Sequence, residues 1–324
     1  MVAIGHALVD LVVPVADAAV GSLGLEKGTM SLVDGERAGA ILAALSPGTA
    51  ISGGSAANTA VGIAALGGAA GFVGKVRDDE WGRLFVRDIR GAGVAYDVPP
   101  ALDGPPTGRS IVLVTPDGEK TMCTDLGVGD LLGDQDVDPA LVSGASVVYL
   151  EGYLCGLAHT EGAVRAALEV AGAAGTLVAL SLSDPLWVRL HRNELAALLP
   201  RVGLLFANGE EACRMVGTEH PDVAAEALGR SCATVVVTLG AAGSLVVHEG
   251  RTAAVAAVAV DEVVDTTGAG DLFAAGFLHA HLRGAVPEDA ARLGAVVAAE
   301  AIGHLGARPV ADLGVLAGRA GLAT

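Results

Sequence analysis

The segment DTTGAGD, residues 265–271, joins a pair of glycines to a carboxylate and leads directly into the apolar stretch LFAAGFLHAHL. Glycines on both sides of Ala269 allow the backbone to turn its N–H groups toward one point, and the following helix adds its positive end there. We therefore expect an anion at Gly268, Ala269 and Gly270. A carboxylate at Asp271 suits such a place if it removes a hydroxyl proton where a phosphoryl group arrives. The alternative is that Asp271 only favours the helix macrodipole.

A second candidate segment is GGSAANTA, residues 53–60. Gly53 and Gly54 predict a tight turn, Ser55 is a suitable helix cap, and Asn58 falls in the first turn of the helix. If this segment is a functional site, Asn58 and the backbone of the two glycines would bind substrate hydroxyls. The alternative is an ordinary helix N-terminus.

Composition limits the classes of partner. The chain has 324 residues, 52% of them hydrophobic, and a formal net charge of −17. That charge argues against a broad nucleic-acid interface and against an anionic membrane, although backbone dipoles can still bind small anions locally. We expect a small-molecule substrate, with no nucleic acid and no membrane as partner.

The cysteines and the N-terminal segment predict a cytoplasmic location. The four cysteines are widely spread without a CxxC pair, which is typical of reduced thiols. No Lys or Arg precedes Lys27, so a signal peptide is not expected. Residues 38–74 are uncharged, but they contain Pro47 and the polar run SGGSAAN, which argues against a membrane-spanning helix.

The elements that must position these segments follow an alternating pattern. From about residue 146, the short apolar runs ASVVYLEG, GTLVALSLSD, VGLLFANGEE and ATVVVTLG are separated by helical segments. This alternation predicts βαβ units and a parallel sheet covered on both faces. The opening VAIGHALVD predicts one further strand. Polar residues follow the predicted strands at the carboxyl ends where open α/β sheets bind ligands: Asp10, Glu151, Asp184, Asn208 and Thr238.

Residues 11–35 and 104–126 have a different character. They contain short strand-like pieces such as LVVPV, GTMSLVD and GRSIVLVT with turn residues between them. We expect the two stretches to pair into a small antiparallel sheet that forms a lid over the main domain.

At this point a family resemblance is visible. GGSAANTAVGIAALGG followed by GFVGKVRDDEWG, and DTTGAGDLFAAGF, resemble the two signatures of the ribokinase-like (PfkB) carbohydrate kinase family, with NGEE and TLGAAG between them in the expected order. The resemblance implies a three-layer α/β/α ribokinase-like fold with a doubly wound, mostly parallel sheet and a small β-sheet lid. Residues 1–324 would then form a single domain. It also implies transfer of the ATP γ-phosphoryl group to a hydroxyl of a sugar, nucleoside or similar small molecule.

The resemblance also implies roles for individual residues. Asp271 would be the general base, and Gly268, Ala269 and Gly270 would form the anion hole. The remaining roles divide by ligand. Substrate hydroxyls would be bound by Asp10, Gly53, Gly54 and Asn58; the nucleotide by Asn208, Thr238, Gly240, Gly243 and His304; magnesium, through water, by Asn208 and Glu211; and a monovalent cation, potassium, by Asp265, Thr267 and backbone carbonyls near Gly306 and Ala307.

The acceptor is predicted from four further segments of the sequence. LGLEKGTMSLVD, KTMCTDLGVG, YLEGYL and HLGARP resemble the adenosine-kinase-like branch, which implies phosphorylation of adenosine to AMP. Lys120 stands where that branch often has Arg, and the lid lacks Phe or Tyr to sandwich a purine. Met30, Leu113 and Met122 would supply an apolar clamp instead. A sugar kinase for ribose or fructose and a non-catalytic sensor remain alternatives, as do a monomer and a homodimer.

Overall fold

The computed structural model describes residues 1–46, 48–117 and 119–322. Two sheets organise the described residues, and helices pack around the larger one. The strands are β1 (Val2–Ile4), β2 (Leu8–Pro14), β3 (Met30–Leu32), β4 (Thr49–Gly53), β5 (Gly71–Val73), β6 (Thr107–Val114), β7 (Lys120–Gly127), β8 (Val147–Glu151), β9 (Leu177–Ser181), β10 (Leu204–Asn208), β11 (Thr234–Thr238), β12 (Ser244–His248) and β13 (Arg251–Val255). The helices are α1 (Asp17–Ser22), α2 (Gly35–Ala43), α3 (Ser55–Ala65), α4 (Glu80–Gly91), α5 (Pro139–Ser143), α6 (Glu161–Ala174), α7 (Pro185–Leu190), α8 (Arg192–Leu198), α9 (Gly209–Val216), α10 (Pro221–Leu228), α11 (Ala269–His281), α12 (Pro287–Ala301) and α13 (Leu313–Arg319).

The large sheet has eight strands in the order β13-β12-β11-β10-β9-β8-β1-β5. Neighbouring strands from β11 to β5 run parallel, while β12 and β13 are antiparallel additions at one edge. The apolar runs predicted as strands form β8 to β11, because Val and Leu fill both faces of a covered parallel sheet. The predicted ribokinase-like α/β fold is confirmed.

Alternate residues of each central strand enter two different cores. Ala3, Tyr149 and Phe206 pack on the face covered by α3, α11 and α12. Val2 and Leu150 pack on the opposite face, against α6, α9 and α10. Helices therefore cover both faces of the large sheet, as a doubly wound arrangement requires.

The opening segment differs from the prediction of one strand. Val2–Ile4 pairs with β5 and β8 in the large sheet, whereas Leu8–Pro14 pairs with β4 and β6 in the small one. The chain changes sheets at Gly5–Ala7, so Asp10 lies inside β2 and not at the end of a strand of the large sheet. Apolar residues are nearly continuous from Val2 to Val9, which is why the sequence reads as one strand.

The small sheet has the strand order β3-β7-β6-β2-β4. It was predicted to be antiparallel and to come from residues 11–35 and 104–126. It is mixed, because β2 runs parallel to β6 and β3 runs parallel to β7. It also recruits β4, which lies outside both predicted stretches. Gly118, in the second stretch, lies outside the described residues.

None of the helices among the described residues is both long enough and apolar enough to cross a bilayer. The uncharged stretch, residues 38–74, is divided between the end of α2, β4, α3 and β5. Pro47 lies outside the described residues. The described residues of α2 pack against the small sheet, whereas α3 packs against the large sheet.

Candidate active site

The turn before α11 presents free backbone donors. Gly268 has φ +73° and a Cβ there would lie 2.4 Å from the Ala307 Cβ, so glycine is required for both conformation and space. Among the described residues, the N–H groups of Gly268, Gly270 and Asp271 have no hydrogen-bond partner. These donors lie at the N-terminus of a 13-residue helix. The turn predicted to bind an anion therefore has unpaired donors at its glycines, whereas the Ala269 N–H, also predicted as a donor, is paired with the Thr266 carbonyl oxygen at 3.2 Å.

Asp271 is held by two residues of α3. Its Oδ1 accepts a hydrogen bond from Ser55 Oγ at 2.6 Å, and its Oδ2 accepts one from Asn58 Nδ2 at 3.0 Å. Burial raises the pKa of Asp271 to about 6, although both hydrogen bonds oppose that rise. A carboxylate with this pKa is mostly ionised at pH 7 and can accept a proton.

The glycine pair allows Asp10 and the main chain of the sheet switch to approach α3. Gly54 has φ +98°, and a Cβ there would lie 2.3 Å from the carbonyl oxygen of His6. A Cβ on Gly53 would lie 2.1 Å from Asp10 Oδ2. Both glycines are therefore needed where they lie, and they bring Asp10 beside the first turn of α3.

Asp10 and Arg308 are two ionisable residues close enough to Asp271 to affect one another electrostatically. Burial raises the pKa of Asp10 to about 7; the positive charge of Arg308 opposes this rise, and the negative charge of Asp271 adds to it. Arg308 is fixed by Ser52, whose carbonyl oxygen accepts from Nε at 3.1 Å and whose Oγ accepts from Nη2 at 2.8 Å. The positive charge of Arg308 therefore acts on Asp10, although Arg308 does not itself line the cavity described below.

Glu151, at the end of β8, is a buried connector. Its Oε1 accepts a hydrogen bond from the His6 N–H at 2.7 Å and lies 2.8 Å from His6 Nδ1. Its Oε2 accepts from the Ala56 N–H at 2.9 Å, in the first turn of α3. Glu151 therefore fixes the sheet switch and the helix that carries Asn58. His6 Nε2 and Asn58 Oδ1 are buried without a partner among the described residues.

Asn208 and Glu211 form a reciprocal cap at the start of α9. Asn208 Oδ1 accepts from the Glu211 N–H at 2.8 Å, and Glu211 Oε2 accepts from the Asn208 N–H at 2.9 Å. Burial raises the pKa of Glu211 to about 7, and the hydrogen bond from the Asn208 backbone opposes that rise. Both residues line the same cavity as Asp271.

The residues predicted to bind the nucleotide are only partly brought together. Thr238 ends β11 and lines the cavity. Gly240 and Gly243 form the turn that follows, with φ +57° and +92°, but they do not line the cavity. His304 also lies away from it, with Nε2 at 3.2 Å from Glu300 Oε1.

A cavity of about 860 Å³ lies between the two sheets, and Asp10, Asn58, Glu211 and Asp271 all line it. Part of its apolar wall is on the small sheet, where Met30 and Met122 are paired residues of β3 and β7. Outside the small sheet, the apolar lining includes Tyr153, Trp187, Phe206 and Phe273. Leu113, predicted as a third clamp residue, points into the core and is fully buried. Leu8, Leu32 and Leu126 contribute to the wall in its place.

Comparison with known proteins agrees with this geometry. The family described as pfkB family carbohydrate kinase matches residues 41–312. The chain belongs to this carbohydrate kinase family. The match includes the glycine pair, Asn208, Thr238 and the whole turn before Asp271.

Two solved structures are similar to this pfkB-family chain over nearly its whole length. An adenosine kinase from Sinorhizobium meliloti is 41% identical, covers 98% of both chains and has a TM-score of 0.94. A probable sugar kinase from Rhizobium etli CFN 42 is 37% identical, covers 99% of this chain and 98% of its own, and has a TM-score of 0.95. An ATP-dependent ribose-1-phosphate kinase from Halopiger xanaduensis is 32% identical over 80% of this chain and 84% of its own length.

The protein is therefore a kinase that acts on a sugar or nucleoside. A pfkB-family kinase uses ATP as co-substrate and usually requires magnesium. The unpaired N–H groups at Gly268, Gly270 and Asp271 fit phosphate oxygens. No cluster of three or more His, Cys, Asp or Glu suited to a metal occurs among the described residues. Asn208 and Glu211 still fit magnesium, because that ion keeps several waters and takes other ligands from substrate phosphates.

The predicted potassium site holds a different cation. The Lys120 ammonium, from the small sheet, forms an ion pair with Asp265 and donates to Thr267 Oγ1 at 2.5 Å. Asp265 Oδ1 also accepts from the Thr267 N–H at 2.6 Å, and its Oδ2 accepts from the Gly306 N–H at 2.8 Å. The Lys120 ammonium already neutralises Asp265 and contacts Thr267, and its charge would repel a potassium ion at the same place, so these residues do not fit potassium beside Lys120.

Sequence reasoning missed several residues of the site. Ser55 was expected as a helix cap, yet it donates to Asp271. Arg308 and His6 were not assigned site roles, although Arg308 lies in the quoted HLGARP segment. Glu151 was placed at the ligand-binding edge of the sheet by its position at a strand end, but without a specific role.

Proposed function

We propose that the protein transfers the γ-phosphoryl group of MgATP to the 5′-hydroxyl of adenosine, giving AMP. Membership of the family establishes that the protein is a kinase. The identity of the acceptor and the role of each residue are our proposal. The single observation that supports the chemistry best is Asp271, hydrogen-bonded through both oxygens beside unpaired backbone donors. The similarity to the Sinorhizobium meliloti adenosine kinase supports the acceptor.

In the proposed mechanism Asp271 accepts the proton of the attacking hydroxyl. Ser55 and Asn58 orient the carboxylate through one hydrogen bond to each oxygen, and both hydrogen bonds favour its ionised form. The N–H groups of Gly268 and Gly270 stabilise negative charge on the transferred group. Magnesium, held through water by Asn208 and Glu211, supplies further charge neutralisation when it is bound.

The hydroxyls of the acceptor would bind on the other side of Asp271. Asp10 accepts hydrogen bonds and has Arg308 nearby to support its charge. Asn58 Oδ1 lacks a partner among the described residues, and a substrate hydroxyl would satisfy it. His6 Nε2 lines the cavity with the same deficit and would contact the ribose or the base.

The adenine base would lie against the apolar wall of the small sheet. Met30 and Met122 are adjacent across β3 and β7, and flexible thioether side chains adapt to a planar aromatic ring. Leu32 is 49% exposed in the structure, which is unusual for a leucine that lines a cavity and is consistent with a surface covered by ligand. A bare sugar would leave this wall without a partner.

The charges of the cavity favour an uncharged acceptor. Among the described lining residues, Lys120 is the one Lys or Arg, and its ammonium is already paired with Asp265. Carboxylates are frequent along the lining: Asp10, Asp117, Glu119, Glu151, Asp184, Glu211 and Asp271. An acceptor that already carries a phosphate, such as ribose 1-phosphate, would find little cationic surface here.

An ADP-release assay over a panel of nucleosides and sugars tests the acceptor. Adenosine is expected to have a kcat/KM at least ~10-fold above that of ribose, which needs only ~1.4 kcal/mol of differential binding. Met122→Ala should lower kcat/KM for adenosine and leave that for ribose unchanged, so ribose serves as the internal control. A sugar that outperforms every nucleoside would replace the adenosine proposal by a sugar kinase.

That second candidate has an observation in its favour. The Rhizobium etli relative is a probable sugar kinase, and it is nearly as similar as the adenosine kinase. The same panel separates the two, because fructose and ribose belong to it. We also propose that the small sheet acts as a lid on the single kinase domain, since it forms one wall of the cavity.

A further inference from the structure

The ion pair between Lys120 and Asp265 joins the small sheet to the loop that precedes α11 at the active site. Lys120 is the first residue of β7, and its side chain is 12% exposed. Asp265 precedes the anion-binding turn, and its side chain is 2% exposed. A charge this deeply buried needs a partner, because an unpaired one is strongly unfavourable.

Asp265 organises the backbone that leads to the anion-binding turn. Its carboxylate accepts from the N–H of Thr267 and, across the fold, from the N–H of Gly306. The N–H of the preceding Val264 donates to the carbonyl of Ile302 at 2.8 Å. The position of Asp265 therefore sets where Gly268 and Gly270 present their free N–H groups.

Within the described part of the chain, Lys120 is the one cationic side chain paired with Asp265. It bonds the Thr267 hydroxyl as well, so one ammonium contacts both side chains predicted to bind potassium. Burial lowers the pKa of Lys120 to about 8, which leaves most of the ammonium protonated at neutral pH. The group therefore carries its positive charge at pH 7.

We propose that Lys120 replaces a dissociable monovalent cation: its ammonium, carried by the small sheet, neutralises Asp265 and holds the Thr267–Gly270 turn in its anion-binding form. The enzyme would then need no potassium. Lys120 is a positioning residue in this account, because it acts through Asp265 and Thr267. The inference rests on the proposed role of this turn in binding phosphate.

The competing role for Lys120 is direct contact with an ATP phosphate, since its side chain lines the cavity. The two roles differ in what a small cation can restore. A lost phosphate contact would raise the KM for ATP equally in every salt. A lost structural cation would be replaced by potassium or ammonium ions, which fit the space vacated by the Lys120 ammonium.

The experiment compares the wild type, Lys120→Met and Lys75→Met in potassium, ammonium and choline chloride at equal ionic strength. Methionine keeps most of the side-chain length of lysine and removes the charge. Lys75 is a matched control, because it is a buried lysine (14% exposed) paired with Asp136 at 2.7 Å outside the cavity. Turnover is measured by ADP release, and the melting temperature is measured without any substrate.

We expect the wild type and Lys75→Met to behave alike in all three salts. Lys120→Met should turn over slowly in choline chloride and recover at least ~10-fold in potassium or ammonium chloride, a difference of ~1.4 kcal/mol. Its substrate-free melting temperature should also rise in potassium chloride, because a cation that binds only the folded state stabilises it. That readout is independent of the acceptor and of catalysis.

Three results would overturn the inference. The first is a wild type that turns over faster in potassium than in choline chloride, which can be seen even if the variant does not fold. The second is Lys120→Met with equal activity and equal melting temperature in all salts. The third is a rise in the KM for ATP that no salt reverses, which would assign Lys120 to phosphate binding.

Discussion

Asp271 provides the most direct test of the proposed chemistry, through the pH dependence of turnover. Its pKa is raised to about 6 by burial, and the negative charge of Glu151 adds to the rise. The ionised form is the active base, so turnover should fall as the pH drops through this value. Asp271→Asn removes the base while keeping the shape and one acceptor oxygen of the side chain.

The expected magnitudes follow from the pKa. With a value of about 6, about nine-tenths of Asp271 is ionised at pH 7 and about one-tenth at pH 5 in the free enzyme, so kcat/KM for the acceptor should fall ~10-fold over that interval. Asp271→Asn should lower kcat by at least ~10²-fold at pH 7, the lower end for a lost general base, and leave ATP binding nearly intact. The residual activity of the variant should not show this fall at low pH, which we call the acid limb.

The assay is ADP release across this pH range at acceptor concentrations well below KM, which gives kcat/KM, with two matched variants. Ser55→Ala removes a hydrogen bond to the charged form of Asp271, so the pKa should rise and the acid limb should move to higher pH. Asp10→Asn removes another group that ionises in this range, with a pKa of about 7. The limb should persist in Asp10→Asn if it belongs to Asp271.

Two outcomes would refute this reasoning. Asp271→Asn with wild-type turnover and unchanged folding would reduce Asp271 to a residue that favours the helix N-terminus. An acid limb that survives in Asp271→Asn but disappears in Asp10→Asn would assign the titration to the acceptor-binding carboxylate.

The remaining predictions concern stability and motion. Burial raises the folded-state pKa of Asp10 to about 7, so its contribution to stability is present below the unfolded pKa of ~4 and is lost as the pH rises through ~7. The substrate-free melting temperature should therefore fall from pH 6 to pH 8, and Asp10→Asn should flatten that slope; an unchanged slope would contradict the assignment. A Cβ on Gly276 would lie 2.8 Å from the Leu293 carbonyl oxygen on α12, so Gly276→Ala should destabilise by ~1–3 kcal/mol in urea unfolding. Gly39→Ala in α2 is the control: a Cβ there meets nothing within 4 Å, so this change should stabilise the protein by roughly 0.4–1 kcal/mol. If both changes alter the free energy of unfolding equally, close packing of α11 against α12 is not the cause. If the small sheet is a lid, acceptor binding should protect residues 11–35 and 104–126 together in hydrogen exchange, and an acceptor that saturates the site without protecting either stretch would count against closure.

Local patterns were enough to predict much of the large sheet and parts of the site. The apolar runs that became β8 to β11 are recognisable because a covered parallel strand buries both faces. The reciprocal cap of Asn208 and Glu211 joins residues 3 positions apart, so its geometry is set by the first turn of one helix. The anion-binding turn before Asp271 is equally local, since it depends on glycines next to each other and on the helix that follows.

Partners distant in sequence could not be predicted in this way. Asp271 and Asn58 are 213 positions apart, and Lys120 and Thr267 are 147 apart. Their contacts depend on how α3 packs against α11 and on how the small sheet closes over the cavity. The sequence of Lys120 and its neighbours carries no sign of Asp265, so potassium was the natural expectation there.

The sequence by itself determined the chemistry that the protein carries: a carboxylate behind a glycine turn, and strands that end in polar residues. The tertiary structure decided which groups orient that carboxylate, where the opening strand leaves one sheet for the other, and which cation neutralises Asp265. The physical reason is the distance along the chain over which each interaction acts. Backbone hydrogen bonding and side-chain periodicity act over a few residues, whereas a buried charge takes whichever partner the packing of distant elements brings to it.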